Sequence, residues 1–157
     1  MTSYAVSIDK RPMVLFFTWR SKYSNHHPCS FVDKDGIRYN CSEQFYISAE
    51  RIMEERWPRD QKEIGKNLNG FNAQSWDKVS RGVMREGLLL KFEQDEGLRR
   101  ALISTGDSLL VECSPNDTKW GIGLDRLDPR AHDPSKWRCA NWLGQVLMEV
   151  RDSLKVV

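Results

Sequence analysis

The stretch Ser30-Phe31-Val32-Asp33-Lys34-Asp35-Gly36-Ile37-Arg38-Tyr39-Asn40, running through Cys41 into Ser42-Glu43-Gln44-Phe45-Tyr46-Ile47-Ser48-Ala49, changes period midway and so decides the fold class. Its first part reads strand, turn, strand around Asp35-Gly36, a dipeptide suited to the tight turn of a hairpin. Beyond Cys41 the spacing changes. Phe45, Ala49, Ile52 and Met53 recur at the interval that lays one helical face on a core. Ser42 reads as the N-cap of that helix. Trp57-Pro58 ends it, because the residue before a proline is pushed out of helical geometry.

Toward the N-terminus, Met13 to Trp19 is an apolar, aromatic run suited to a buried strand, and with the hairpin it predicts a small sheet. Toward the C-terminus helices dominate. A short piece from Asp60 to Leu68 stops at Asn69-Gly70. Ser75 caps a longer helix carrying Trp76, Val79, Val83 and Leu88, and Gln94 to Ser104 supplies another around Leu98 and Leu102. Leu109 to Cys113 reads as a short buried strand. The chain closes on an amphipathic helix with Leu143, Val146, Leu147, Val150 and Leu154 on one face, capped by Asn141. Between Ser114 and Ala140 the pattern breaks at Pro115, Pro129 and Pro134; ordering so long a loop costs entropy, which points to a function for it. The expected architecture is α+β: a tail over residues 1–11, then a mostly helical single domain over 12–157 with a small N-terminal sheet.

A chain of 157 residues, 39% hydrophobic and 29% charged, carries enough apolar material for one core. The formal net charge is only +2, so anion recognition has to be local rather than a property of the whole surface. Cys29, Cys41, Cys113 and Cys139 form no CxxC pair, and the thiols are expected to be reduced. The first eleven residues have no signal-peptide pattern and no segment is long and apolar enough to span a bilayer, which predicts an intracellular protein, cytoplasmic or nuclear. His26-His27 and the distant His132 match no metal-binding spacing. There is no GxSxG elbow or Walker loop, and Gly121-Ile122-Gly123 lacks the third glycine of a dinucleotide fingerprint. Neither a metal nor a cofactor is expected. Trp19, Trp57, Trp76 and Trp137 read as core or loop anchors.

Four places could carry chemistry. Glu43 occupies the first turn of a helix, where the positive end of the helix dipole keeps a carboxylate ionised and able to direct water or stabilise a cation; taken alone, a surface group that merely complements the dipole is the plainer reading. Asn116-Asp117-Thr118-Lys119-Trp120-Gly121-Ile122-Gly123 sets an acceptor and a flat stacking face between glycines that admit close backbone approach, a combination suited to a nucleobase or sugar, or else a turn anchored by its tryptophan. Tyr23-Ser24-Asn25 follows the first strand, with Arg20 and Lys22 before it, and reads on sequence alone as a simple exposed turn, or else as a holder of ligand oxygens and phosphate. Asn141-Trp142-Leu143-Gly144, preceded by Lys136 and Arg138, offers a helix N-terminus to an anion or is an ordinary cap with close packing at Gly144.

The ordered set of these motifs resembles the NADAR family, named for its links to NAD and ADP-ribose metabolism. The resemblance runs from Phe16 to Leu154. It rests on Phe17 and Tyr23-Ser24-Asn25, Asp35-Gly36, Ser42-Glu43-Gln44, Met84-Arg85-Glu86 through Lys91-Phe92, and Leu109-Leu110-Val111-Glu112. It continues with Asn116-Asp117 and Trp120-Gly121, then Asn141, Leu143-Gly144, Leu147-Met148 and Arg151. It implies a small α+β, mostly helical domain acting as an N-glycosidase. Two substrate classes are implied: phosphoribosylated early intermediates of riboflavin biosynthesis, and ADP-ribose attached to guanine in nucleic acid. The partner is then a nucleotide-like or ADP-ribose-containing substrate, with ADP-ribosylated nucleic acid as one form and neither membrane nor metal involved. On this resemblance Glu43 and Asp117 are the catalytic candidates, and Arg20, Ser24, Asn25, Trp120, Gly121, Asn141 and Gly144 the substrate-binding ones. One departure stands out. The family's lysine two helical turns after the motif glutamate, implicated in an imine with opened ribose, falls on Glu50; the adjacent Arg51 cannot form an imine. Water activated by Glu43, a lysine recruited from elsewhere such as Lys22 or Lys119, or binding without turnover are the readings this leaves open.

Overall fold

The computed structural model describes residues 11–56 and 71–155, apart from the side chains of 52–56, 71–75 and 78. The tail before Arg11, the helix end at Trp57-Pro58, the piece over Asp60 to Leu68 and the side chains of Ile52 and Met53 lie outside what it describes. The elements are β1 (Met13–Phe16), β2 (Phe31–Val32), β3 (Arg38–Tyr39), α1 (Ser42–Arg56), α2 (Phe71–Gln94), α3 (Glu96–Ser104), β4 (Leu109–Glu112) and α4 (Trp142–Lys155). The fold is α+β and mostly helical, as expected.

The small sheet takes the form of two separate ladders. β2 and β3 form the expected antiparallel hairpin, with Phe31 opposite Tyr39. Its turn is held by Asp33, whose Oδ1 accepts from the backbone of Asp35 and Ile37, both at 2.9 Å, while Gly36 takes a φ of +82°. β1 does not join this hairpin. It pairs in parallel with β4, Met13 against Leu109 and Phe16 against Glu112, so the three helices α1 to α3 lie within one crossover.

The alternation along these two strands explains why both are apolar on both sides. Phe16 and Leu110, with Val14 against them, face a core built with Met84, Leu88 and Phe92 of α2, Leu98 and Leu102 of α3, and the Leu143, Val146, Leu147, Val150 and Leu154 stripe of α4. Leu109, Val111 and Cys113 face the other way, onto Ile122, Leu124 and Ala131, with Met13, Leu15 and Trp137 packed against them. A two-stranded ladder buried on both faces needs a second cover. The stretch from Ser114 to Ala140 provides it, stiffened by 3-10 turns over Pro129–His132 and Pro134–Lys136. Its length is thus partly architectural.

Several local expectations change on folding. Phe71 to Ser75 are already helical, so Ser75 lies inside α2 and does not cap it. Val79, expected in the core, is 43% exposed, and the buried stripe runs instead through Met84, Leu88, Lys91 and Phe92. Ser42 is the first residue of α1; its hydroxyl, fully buried, donates to Oδ1 of Asn25 at 2.9 Å, and Cys41 supplies the carbonyl that accepts from Phe45. The cap of α3 is Asp95, whose side chain accepts from the Leu98 N–H. All four cysteines are free thiols.

Candidate functional site

Glu43 enters the site from the first turn of α1. The residues 24–27 pack against that turn: the Glu43 N–H donates to the Asn25 carbonyl at 3.0 Å, and the Ser24 hydroxyl accepts from the His26 N–H at 3.2 Å. The segment is pinned from below by Lys91 of α2, which is 1% exposed and donates to the carbonyls of Lys22 (2.9 Å) and Ser24 (3.0 Å). Burial lowers the Lys91 pKa from 10.5 to about 8, an effect that the thiols of Cys29 and Cys41 oppose. The sequence offered Lys91 only as a landmark, because a lysine among Leu and Phe on a helix looks like a snorkelling surface residue.

Helical spacing places Tyr46 and Glu50 on the face of α1 that carries Glu43. Tyr46 is the centre of an aromatic group: its ring lies 5.3 Å from that of Trp76 and 5.4 Å from that of Trp120, and its hydroxyl accepts from Trp76 Nε1 at 2.9 Å. Trp120 in turn meets Trp142 edge-on at 5.6 Å, and the Arg81 guanidinium sits 4.7 Å from the centroid of Trp142. Trp76 is therefore part of this group, not merely a core anchor. Tyr46 and Arg81 were not singled out from sequence, and Trp142 only as part of the Asn141-Gly144 helix start; the interval of three between Glu43 and Tyr46 was the available signal.

Asp117 arrives from the long loop. Its Oδ1 accepts from the backbone N–H groups of Lys119 (2.9 Å) and Trp120 (2.7 Å), a turn that sets the direction of the tryptophan. Its charge acts on both Glu43 and Glu112. Burial raises the pKa of Glu43; His26 opposes the rise, and the negative charges of Asp117 and Glu50 add to it. The helix dipole alone would hold this carboxyl below the usual range, so the expected full stabilisation of the anion gives way to burial and like charge. Glu112, at the end of β4, is pushed further, to about 8, by burial and then by Asp117.

The remaining candidates take structural positions. Asn141, at φ +55°, is 2% exposed and spends its side chain on β4, donating to Leu110 O at 2.9 Å and accepting from Glu112 N at 3.0 Å. It therefore caps α4 only through its carbonyl, which accepts from Gln145. The N–H groups of Trp142 and Leu143 donate to the carbonyls of Lys119 and Trp120, which ties the loop to the helix in place of an anion. A Cβ on Gly144 would stand 1.9 Å from Leu110 O, and one on Gly121 3.0 Å from Glu112 O; both glycines serve close packing on β4. Arg20 is exposed, and its guanidinium lies over the Trp19 ring. Lys119 is engaged by Asp77 and Lys22 is exposed. Among the described residues no group of His, Cys, Asp and Glu is arranged to hold a metal ion, and no helix is long and apolar enough to cross a membrane.

These residues sit in an α+β, mostly helical domain. The chain matches the NADAR domain over residues 9–155 and belongs to the NADAR family. Protein irg-1 of Caenorhabditis elegans is 35% identical to it over 180 residues, covering 98% of this chain and 85% of that protein. N-glycosidase YbiA of Escherichia coli (strain K12) is 30% identical over 134 residues, 80% of this chain and 76% of YbiA. The NMR structure of E. coli YbiA matches with a TM-score of 0.65 and 26% identity, covering 93% of this chain and 86% of that one.

Proposed function

We propose that the protein is an N-glycosidase that hydrolyses the bond between ribose and a heterocyclic nitrogen in an ADP-ribose or ribose-phosphate adduct. The observation that carries this reading is the convergence of Glu43, from α1, with Asp117 and Trp120, from a loop about seventy positions away, around the ring of Tyr46. Breaking the C1′–N bond builds positive charge on the sugar, and a carboxylate beside C1′ stabilises that charge or directs water. Glu43 takes this role. Asp117 holds ribose hydroxyls or the base, Trp120 stacks on the heterocycle, and the buried Ser24 and Asn25 hold the Glu43 turn in place beneath the sugar. The substrate classes are ADP-ribosylated guanine in nucleic acid and the phosphoribosylated intermediates of riboflavin synthesis. The name of YbiA as an N-glycosidase, in a family to which this chain belongs, supports the reaction type.

A second reading, a binding module without turnover, is favoured by one observation: Glu50 stands where the family pattern has a lysine, and its charge acts on Glu43. Incubation with ADP-ribosylated guanine oligonucleotides and with the riboflavin-pathway intermediates, followed by detection of released sugar phosphate or base, separates the two. Turnover that Glu43→Gln abolishes supports the enzyme. Tight ADP-ribose binding by calorimetry without turnover supports the module, and undiminished turnover in Glu43→Gln defeats the role given to that residue.

A further inference from the structure

We propose that Glu112, at the end of β4 beside Asp117, is the proton donor that protonates the heterocycle as it leaves C1′. This rests on the N-glycosidase reading above and adds to it the second half of the chemistry, which Glu43 does not supply.

Strand alternation fixes where the side chain goes. Leu109, Val111 and Cys113 face the long loop, so Glu112 shares the face of Leu110, the face of the helices, against whose core Trp120 and Tyr46 also pack. The backbone at this point is held on several sides. Glu112 N donates to Asn141 Oδ1 at 3.0 Å, its carbonyl accepts from Ile122 N at 2.9 Å, and Gly121 packs directly against that carbonyl. A strand end so constrained aims its side chain without help from a ligand.

The carboxyl is unusual in what surrounds it. Its Oε2 is fully buried and has no hydrogen-bond partner among the described residues. The partner across the ladder is Phe16, and the residues touching the backbone, Asn141, Ile122 and Gly121, bear no charge. Asp117, from the loop, is the charge that acts on it, and the neighbouring Cys113 is itself a thiol pushed up to about 12, first by its own burial and then by the Glu112 charge. A buried anion with no donor and a negative neighbour is strongly disfavoured, so the group holds its proton, consistent with a pKa of about 8. The residue as a whole is only half-buried, so the sealed Oε2 disfavours the anion, and the other carboxyl oxygen is the one placed to hand the retained proton to a ligand. Two carboxyls near one aspartate, one pushed much further than the other, have the division of labour expected of an acid and a base.

The step balances as follows. The C1′–N bond breaks with its electron pair on the heterocycle, which takes the Glu112 proton. A water oxygen bonds to C1′ while its proton passes to the Glu43 carboxylate. Transfer of that proton through solvent restores Glu112. One water is consumed, and the products are the C1′ hydroxyl sugar and the protonated base.

The test uses Glu112→Gln and Glu112→Asp in the full chain, with the adduct that the wild-type protein turns over and with folding checked by circular dichroism. Wild-type kcat/KM should fall as pH rises through about 8. In Glu112→Gln, kcat should drop by about 10²- to 10⁴-fold with KM little changed, and the basic limb should vanish. Glu112→Asp should keep the limb with part of the rate. A limb that persists in Glu112→Gln belongs to another group, Lys91 among them, and overturns the assignment; so does a variant whose KM alone changes. Wild-type protein inert on every adduct would defeat the N-glycosidase reading itself, whereas an active wild type with an unimpaired Glu112→Gln defeats only the role of Glu112.

Discussion

The rings of Tyr46 and Trp120 meet edge to face, with centroids 5.4 Å apart and planes inclined at 78°. This contact joins α1 to the long loop. Through it, the helix that carries Glu43 and the turn that carries Asp117 become one surface, and the first prediction concerns its stacking face. Trp120→Ala should weaken ADP-ribose binding by about 10- to 100-fold, equivalent to about 1–3 kcal/mol of lost stacking, with Trp120→Phe retaining part of the affinity. Calorimetric titration of the three proteins decides it. Equal affinities would place the ligand elsewhere.

Asn141 ties α4 to β4 with two side-chain hydrogen bonds from a backbone in the left-handed region. Asn141→Ala leaves a buried carbonyl and a half-buried N–H without partners and keeps a Cβ at positive φ, so it should destabilise the fold by about 2–4 kcal/mol. Asn141→Gly relieves the backbone and should recover about 1 kcal/mol of that. Urea unfolding of both variants measures the difference.

Gly144 lies on the next contact between the same two elements. An added Cβ would overlap the Leu110 carbonyl at 1.9 Å, and the neighbour is backbone, which cannot swing aside. Gly144→Ala should cost about 3 kcal/mol by forcing α4 off the ladder. A thermal midpoint equal to that of the wild type would show that the helix can shift freely.

Glu112 should also leave its mark on stability. Its pKa is about 8 in the fold against an ordinary 4.5, so between those values the folded chain holds more proton than the unfolded one. Stability contributed by this group is complete below pH 4.5 and is lost as pH rises to about 8. The wild-type protein should therefore lose ground to Glu112→Gln over that interval, a trend visible in paired denaturation curves at several pH values.

Lys91 carries the opposite sign. With a pKa of about 8 in the fold and 10.5 outside it, the unfolded chain binds more proton between those values, so stability rises with pH there. Relative to Lys91→Met, the wild type should gain between pH 8 and about 10.5 and show a constant difference below pH 8. A flat difference across the whole range would mean that the amine stays accessible to water.

Much of the fold was legible because its signals are local. Asp35-Gly36 between two short runs is a hairpin wherever it stands, and the Leu143-Val146-Leu147-Val150-Leu154 spacing has one helical face to bury. The caps were less legible. Ser42 and Ser75 have the right side chains for capping, but a serine hydroxyl can donate as well as accept, and Ser42 donates to Asn25. The partner of β1 was not legible either, because an apolar strand of four residues pairs equally well with any other.

The sequence by itself determined the helices, the hairpin and the resemblance that made Glu43, Asp117 and Trp120 candidates, since each depends on neighbours a few positions apart. Only the tertiary structure decided which groups meet. It brought Tyr46, Trp76 and Trp120 into contact, gave Asn141 and Gly144 to packing, buried Lys91 beneath the Ser24 segment, and left an oxygen of Glu112 buried without a partner among the described residues. The physical reason is that burial and charge interaction depend on distance in space, and residues brought together by a long helical crossover leave no period in the chain to mark them.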